Sequence, residues 1–264
     1  MRRLAALLLC MLPVYVLPVV VASGADSTGY ARLPGGAFRS VLRYEDLPST
    51  PVRVRLFELM RTPVTNAQFL AFVQAQPQWR RDRVASVFAD REYLSKWSGP
   101  LALGAQALPQ QPVVQVSWFA ASAYCEAQGA RLPTWSEWEY AAAADETRRD
   151  ARADPAWRAR MLAWYSRPSN RALQRAGLQA PNAYGVQDLH GPVWEWTDDY
   201  SALLIAGDNR NQGDADTAKY CGAGALSMDD RENYAVMMRV ALLSSLQAQD
   251  TTRNLGFRCA RDVR

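Results

Sequence analysis

Hydrophobic and polar positions follow several short patterns along this chain, and no single period runs through it. Val52-Arg53-Val54-Arg55-Leu56 alternates apolar with charged residues, as a strand with one buried face requires. Just before it, Leu33-Pro34-Gly35-Gly36 reads as a turn. The spacing then changes to three and four: Thr65-Asn66 caps a helix through Ala67, Phe69, Leu70, Phe72 and Val73, and Pro77 stops it. Residues 78–111 carry Trp79, Phe88, Tyr93 and Trp97 without periodicity and read as packed loops, and Pro112-Val113-Val114-Gln115-Val116 reads as a short strand.

Two capped helices follow. Ser117 caps a run of mostly small residues from Phe119 to Gln128, which Gly129 ends. Thr134 with Glu137 is a capping box, and Trp138, Ala141 and Ala142 share the buried face of the helix it starts. The charged stretch 145–160 is expected to extend that helix or to add one at the surface. Residues 168–181 are loop-like, and 201–219 are polar, with turns at Gly207-Asp208-Asn209 and Gln212-Gly213-Asp214. Asp230 to Leu246 carries Tyr234, Met237, Met238, Ala241 and Leu242 at helical spacing, and Leu255-Gly256-Phe257-Arg258-Cys259 closes the chain as a strand. Long loops between short strands and a few helices do not suit a bundle, a barrel or a parallel α/β sheet, which leaves a loop-rich α+β fold.

A chain of 264 residues with no low-complexity divider is expected to form one domain. Its first residues, Met1-Arg2-Arg3 and then an apolar run from Leu4 to Ala22, have the order of a secretory signal. Residues 1–25 are therefore expected to be a cleaved leader and 26–264 the mature domain, exported to a bacterial periplasm. Pro13 and Pro18 weaken the other reading of this run, a retained membrane anchor. The formal charge of +4 includes Arg2 and Arg3, and the other basic residues are scattered, so a nucleic-acid partner has no support. Without Cys10, three cysteines remain, Cys125, Cys221 and Cys259, and in an oxidising compartment an odd number implies one pair and one leftover thiol.

Three motifs stand out: Arg131-Leu132-Pro133-Thr134-Trp135-Ser136-Glu137-Trp138-Glu139-Tyr140, then Gly185 to Thr197 with Asp188-Leu189-His190-Gly191-Pro192-Val193-Trp194-Glu195-Trp196, and finally Asn254-Leu255-Gly256-Phe257-Arg258-Cys259-Ala260. Together they resemble the formylglycine-generating, or sulfatase-modifying factor, family. The resemblance covers about residues 30–262 and implies a compact fold related to the C-type lectins. It also implies a structural calcium ion at Asp188, Gly191, Val193 and Glu195, and a disulfide between Cys125 and Cys259. Asp188 and Glu195 supply the hard oxygen donors that calcium prefers, and as isolated acids they would read as surface charges or partners of arginines. Pro192 stands where relatives often carry Asn.

The chemistry implied by the family, copper-dependent oxidation of a client cysteine, needs two soft thiolates close together. The corresponding positions here fall near Asp230 and at Ala235, so copper is not expected. A related iron chemistry uses three histidines, and this chain has one, His190. What remains near the lost pair is Asp229, Asp230, Arg231, Glu232, Tyr234 and Arg239, together with Cys221 in the glycine-rich Lys219-Tyr220-Cys221-Gly222. Asp230, Arg231, Tyr234, Arg239 and Cys221 are the catalytic candidates, since acids beside an arginine can move protons when partly buried. The same residues would otherwise be a solvated turn and helix start. The expected function is thus a repurposed oxidoreductase or maturation factor acting on a protein or peptide-derived substrate. The rival reading is a non-catalytic, calcium-stabilised accessory module for a periplasmic partner such as a copper redox enzyme.

Overall fold

A computed structural model describes residues 29–41, 51–166, 172–191, 193–202 and 234–263. The expected leader, the expected turns near Gly207 and Gln212, Pro192, Cys221 and Asp229 to Glu232 lie outside the described residues. Among the described residues no helix is long and apolar enough to cross a membrane.

Strands β1 (Tyr30–Leu33), β4 (Phe57–Met60) and β7 (Ala260–Asp262) form a three-stranded antiparallel sheet in the order β1-β4-β7. Strands β2 (Gly36–Phe38) and β3 (Val52–Val54) pair as an antiparallel ribbon beside it. The register Tyr30↔Met60 through Leu33↔Phe57 buries Tyr30, Leu33, Phe57 and Leu59. The expected strand over 52–56 is therefore two strands broken at Arg55-Leu56. Leu56 is exposed, and the next element begins at Phe57 with its buried face re-aimed. At Gly35 the φ of +69° and an approach to the Val54 and Arg55 backbone that leaves no room for a Cβ make glycine the residue that closes this corner.

Helices α1 (Asn66–Ala75), α2 (Trp118–Ala127) and α3 (Trp135–Ala142) begin where local chemistry places them. Thr65 and Gln68 form a capping box, as do Thr134 and Glu137, and the Ser117 hydroxyl accepts from the Ala120 amide. Helix α4 (Pro155–Tyr165) starts later than the charge pattern suggests, because Asp145 gathers the residues before it into turns. Its carboxylate accepts from the amides of Thr147 and Arg148 and from the Arg148 guanidinium, and Asp154 then caps the helix.

Strands β5 (Trp194–Glu195) and β6 (Leu255–Gly256) run parallel, and α5 (Tyr234–Ser244) lies between them in sequence. The expected closing strand is split into β6 and β7 around Phe257 to Cys259. Residues 112–116 make no strand: Gln115 takes a left-handed φ of 57°, which breaks the extended run, while Val113, Val114 and Val116 remain buried. The result is a mixed α+β fold with one apolar cluster between α1, α2 and Phe257 and a second between the sheet and α3.

Candidate functional site

Cys125 on α2 and Cys259 before β7 are joined in a disulfide, with Cα atoms 5.5 Å apart and both residues fully buried. The loop closed by this bond spans 134 residues. Both sulfurs are thereby oxidised and removed from the supply of thiolates.

Glu195 sits at the centre of the molecule. Its fully buried carboxylate accepts from Arg258 through Nε and Nη2, both at 2.8 Å, and from the Trp138 indole at 2.9 Å. Arg258 spends its remaining donors on the carbonyls of Met60, Arg61 and Gln187. This pair locks the signature loop, β4 and the closing segment together. In the sequence Arg258 stands out only as part of a motif, and its one further signal is to be a lone arginine in an apolar closing run; its role as the partner of Glu195 is not visible there.

Asp188 takes a left-handed φ of 60° and is buried. Its two oxygens accept backbone amides from Gly177 and Gln179, and the Gln179 side chain returns to the His190 carbonyl. Gly191 adopts a φ of +128°, and an added Cβ there would strike the Trp164 ring. The four positions expected to hold calcium therefore lie along one loop. Whether calcium fits there depends on the donors, and Glu195 is committed to a guanidinium and an indole N–H.

His190 follows the same logic. Its Nε2 lies 2.7 Å from the Ala142 carbonyl, and its ring sits edge-on between Trp138 and Trp157. Burial, with a smaller contribution from Arg239, pushes the imidazole down to about 4, so the ring is neutral near pH 7.

Of the catalytic candidates, Arg239 is the one whose side chain is described. It is buried in the core, its guanidinium lies 3.6 Å from the Trp138 ring centroid, and Nη2 donates to the Glu195 carbonyl. Such a group holds α5 against α3 and β5. Tyr234 begins α5. Asp230, Arg231 and Cys221 lie outside the described residues. Trp135, Trp138 and Trp196 are core residues, and Trp194 is half-buried.

Residues 19–263 match the family described as Sulfatase-modifying factor enzyme 1-like domain. The chain belongs to that family. It is similar to the formylglycine-generating enzyme of Streptomyces coelicolor, at 33% identity over 93% of this chain and 93% of that protein. A mouse protein named inactive C-alpha-formylglycine-generating enzyme 2 is 28% identical over 89% of this chain and 86% of its own length. Among solved structures, PvdO from Pseudomonas aeruginosa aligns over 89% of this chain and 94% of its own, with TM-score 0.45 and 19% identity.

The copper ion associated with the family needs two thiolates. The chain has four cysteines, two of them joined in the disulfide, which leaves Cys221 and Cys10. Among the described residues no group of three or more His, Cys, Asp or Glu side chains is arranged to hold a metal. Among the described residues the two cysteines, Cys125 and Cys259, are both in the disulfide, so none is left as a thiolate for copper(I).

Proposed function

We propose that this protein is an exported accessory or maturation factor that engages a protein or peptide-derived partner without copper-dependent cysteine oxidation. The observation that carries this reading is the Cys125–Cys259 disulfide, which consumes two of the four cysteines and leaves one outside the leader. Copper(I) held by that single thiol lacks the second soft donor that the oxidation requires. Export is supported by the apolar run from Leu4 to Ala22 and by a disulfide that suits an oxidising compartment.

The burial of Arg239 favours a binding role over a repurposed oxidoreductase, because it takes the strongest cation of the expected catalytic set into the core. The oxidoreductase reading keeps the support of the likeness to proteins named formylglycine-generating enzyme and hercynine oxygenase. It would rest on Asp230, Arg231, Tyr234 and Cys221.

A cysteine-containing sulfatase peptide, incubated with the purified protein, copper and oxygen, separates this proposal from the family chemistry. Mass spectrometry should find the peptide unconverted, and competition with a copper(I) chelator should find no tight stoichiometric copper. Formylglycine in the peptide would overturn the proposal.

A further inference from the structure

We infer that Arg258 occupies, as an internal cation, the place at Glu195 that the family resemblance gives to calcium, so this fold needs no divalent ion there. A calcium site collects six to eight oxygens, commonly with a bidentate carboxylate whose lone pairs face the ion. At Glu195 three N–H groups take up most of those lone pairs. Oε1 accepts from Arg258, and Oε2 accepts from Arg258 and from Trp138. The geometry is two-pronged, and both side chains are excluded from water.

The guanidinium is equally complete. Its five N–H donors are matched by the Glu195 oxygens and by three backbone carbonyls, those of Met60, Arg61 and Gln187. One buried positive charge thus meets one buried negative charge, and the pair closes without an ion. A second guanidinium, Arg239, donates to the backbone carbonyl of the same residue. A dication coordinated by Glu195 would sit against both guanidinium groups where no water screens the repulsion.

Asp188, the other acid of the expected site, is also spent on N–H donors. The amides of Gly177 and Gln179 take its two oxygens and tie residues 177–179 to the signature loop. The work of a structural ion, drawing separate segments onto one charge, is done here by Arg258 for β4, β5 and the closing segment, and by Asp188 for the loop before it.

The experiment uses the full purified chain, stripped with EGTA and dialysed free of metal. Thermal unfolding is followed with and without millimolar calcium, and terbium emission sensitised by the adjacent tryptophans reports a lanthanide at the calcium position directly. The expected result is an unchanged midpoint and no calcium-displaceable emission. A midpoint raised by several degrees together with calcium-displaceable emission, both lost in Asp188→Gly, which removes every side-chain oxygen and suits the left-handed backbone there, overturns the inference. A rise that survives Asp188→Gly comes from an ion bound elsewhere and leaves the assignment to Arg258 standing.

Discussion

The guanidinium of Arg239 lies 3.6 Å from the centroid of the Trp138 ring, and both residues are buried. Trp138 in turn donates its indole N–H to Glu195, whose backbone carbonyl accepts from Arg239. Three elements, α3, β5 and α5, are joined through this one contact. Replacing Arg239 with leucine should therefore cost roughly 3 kcal/mol in stability, the scale of a desolvated cation–π contact plus a charged hydrogen bond. Urea unfolding of wild type and Arg239→Leu checks the value. A variant with unchanged stability and a selective loss of partner binding would return Arg239 to the functional surface.

His190 makes stability depend on pH. Its unfolded pKa is near 6.5 and its folded pKa is depressed to about 4, so the unfolded chain binds the extra proton between these values. The stabilising contribution of the neutral buried ring is present above the unfolded pKa and is lost as pH falls toward the folded one. The loss amounts to about 3 kcal/mol on the scale of 1.4 kcal/mol per pK unit. Unfolding free energies of wild type and His190→Gln, measured from pH 7.5 to about 4.5, should converge as pH falls. Parallel curves would show that His190 does not titrate this way.

The disulfide closes a 134-residue loop, so opening it should cost about 4 to 5 kcal/mol on the chain-entropy model. Cys125→Ser with Cys259→Ala should unfold at a correspondingly lower urea concentration. Under native conditions the bond should resist reduction, because both cysteines are buried in the main apolar cluster. Rapid reduction of the folded protein would contradict that placement.

Features that depend on neighbours in sequence are legible in the chain itself. The capping boxes at Thr65 and Thr134 and the helix start at Ser117 arise from contacts within one turn, so the pattern of Thr, Ser, Gln and Glu is enough to locate them. The motif around Asp188 to Trp196 likewise points to the family and thereby to the Cys125–Cys259 pair. Residues 112–116 defeat this logic, because their apolar run is equally compatible with a strand and with burial outside a sheet. The left-handed turn at Gln115 follows from contacts with Leu94 and Thr252, which no local pattern reveals.

The amino-acid sequence by itself determined the fold class, the starts of the three capped helices α1 to α3 and the shortage of thiolates, because capping, periodicity and residue counts are local or additive properties. Only the tertiary structure decided how the buried charges are matched. Arg258 reaches Glu195 across 63 residues of chain, and Arg239 reaches it across 44. A buried carboxylate must find a cation or a set of N–H donors wherever the packed chain delivers one. In this molecule packing delivers two guanidinium groups, and Arg258 and Arg239 both meet Glu195 inside the core.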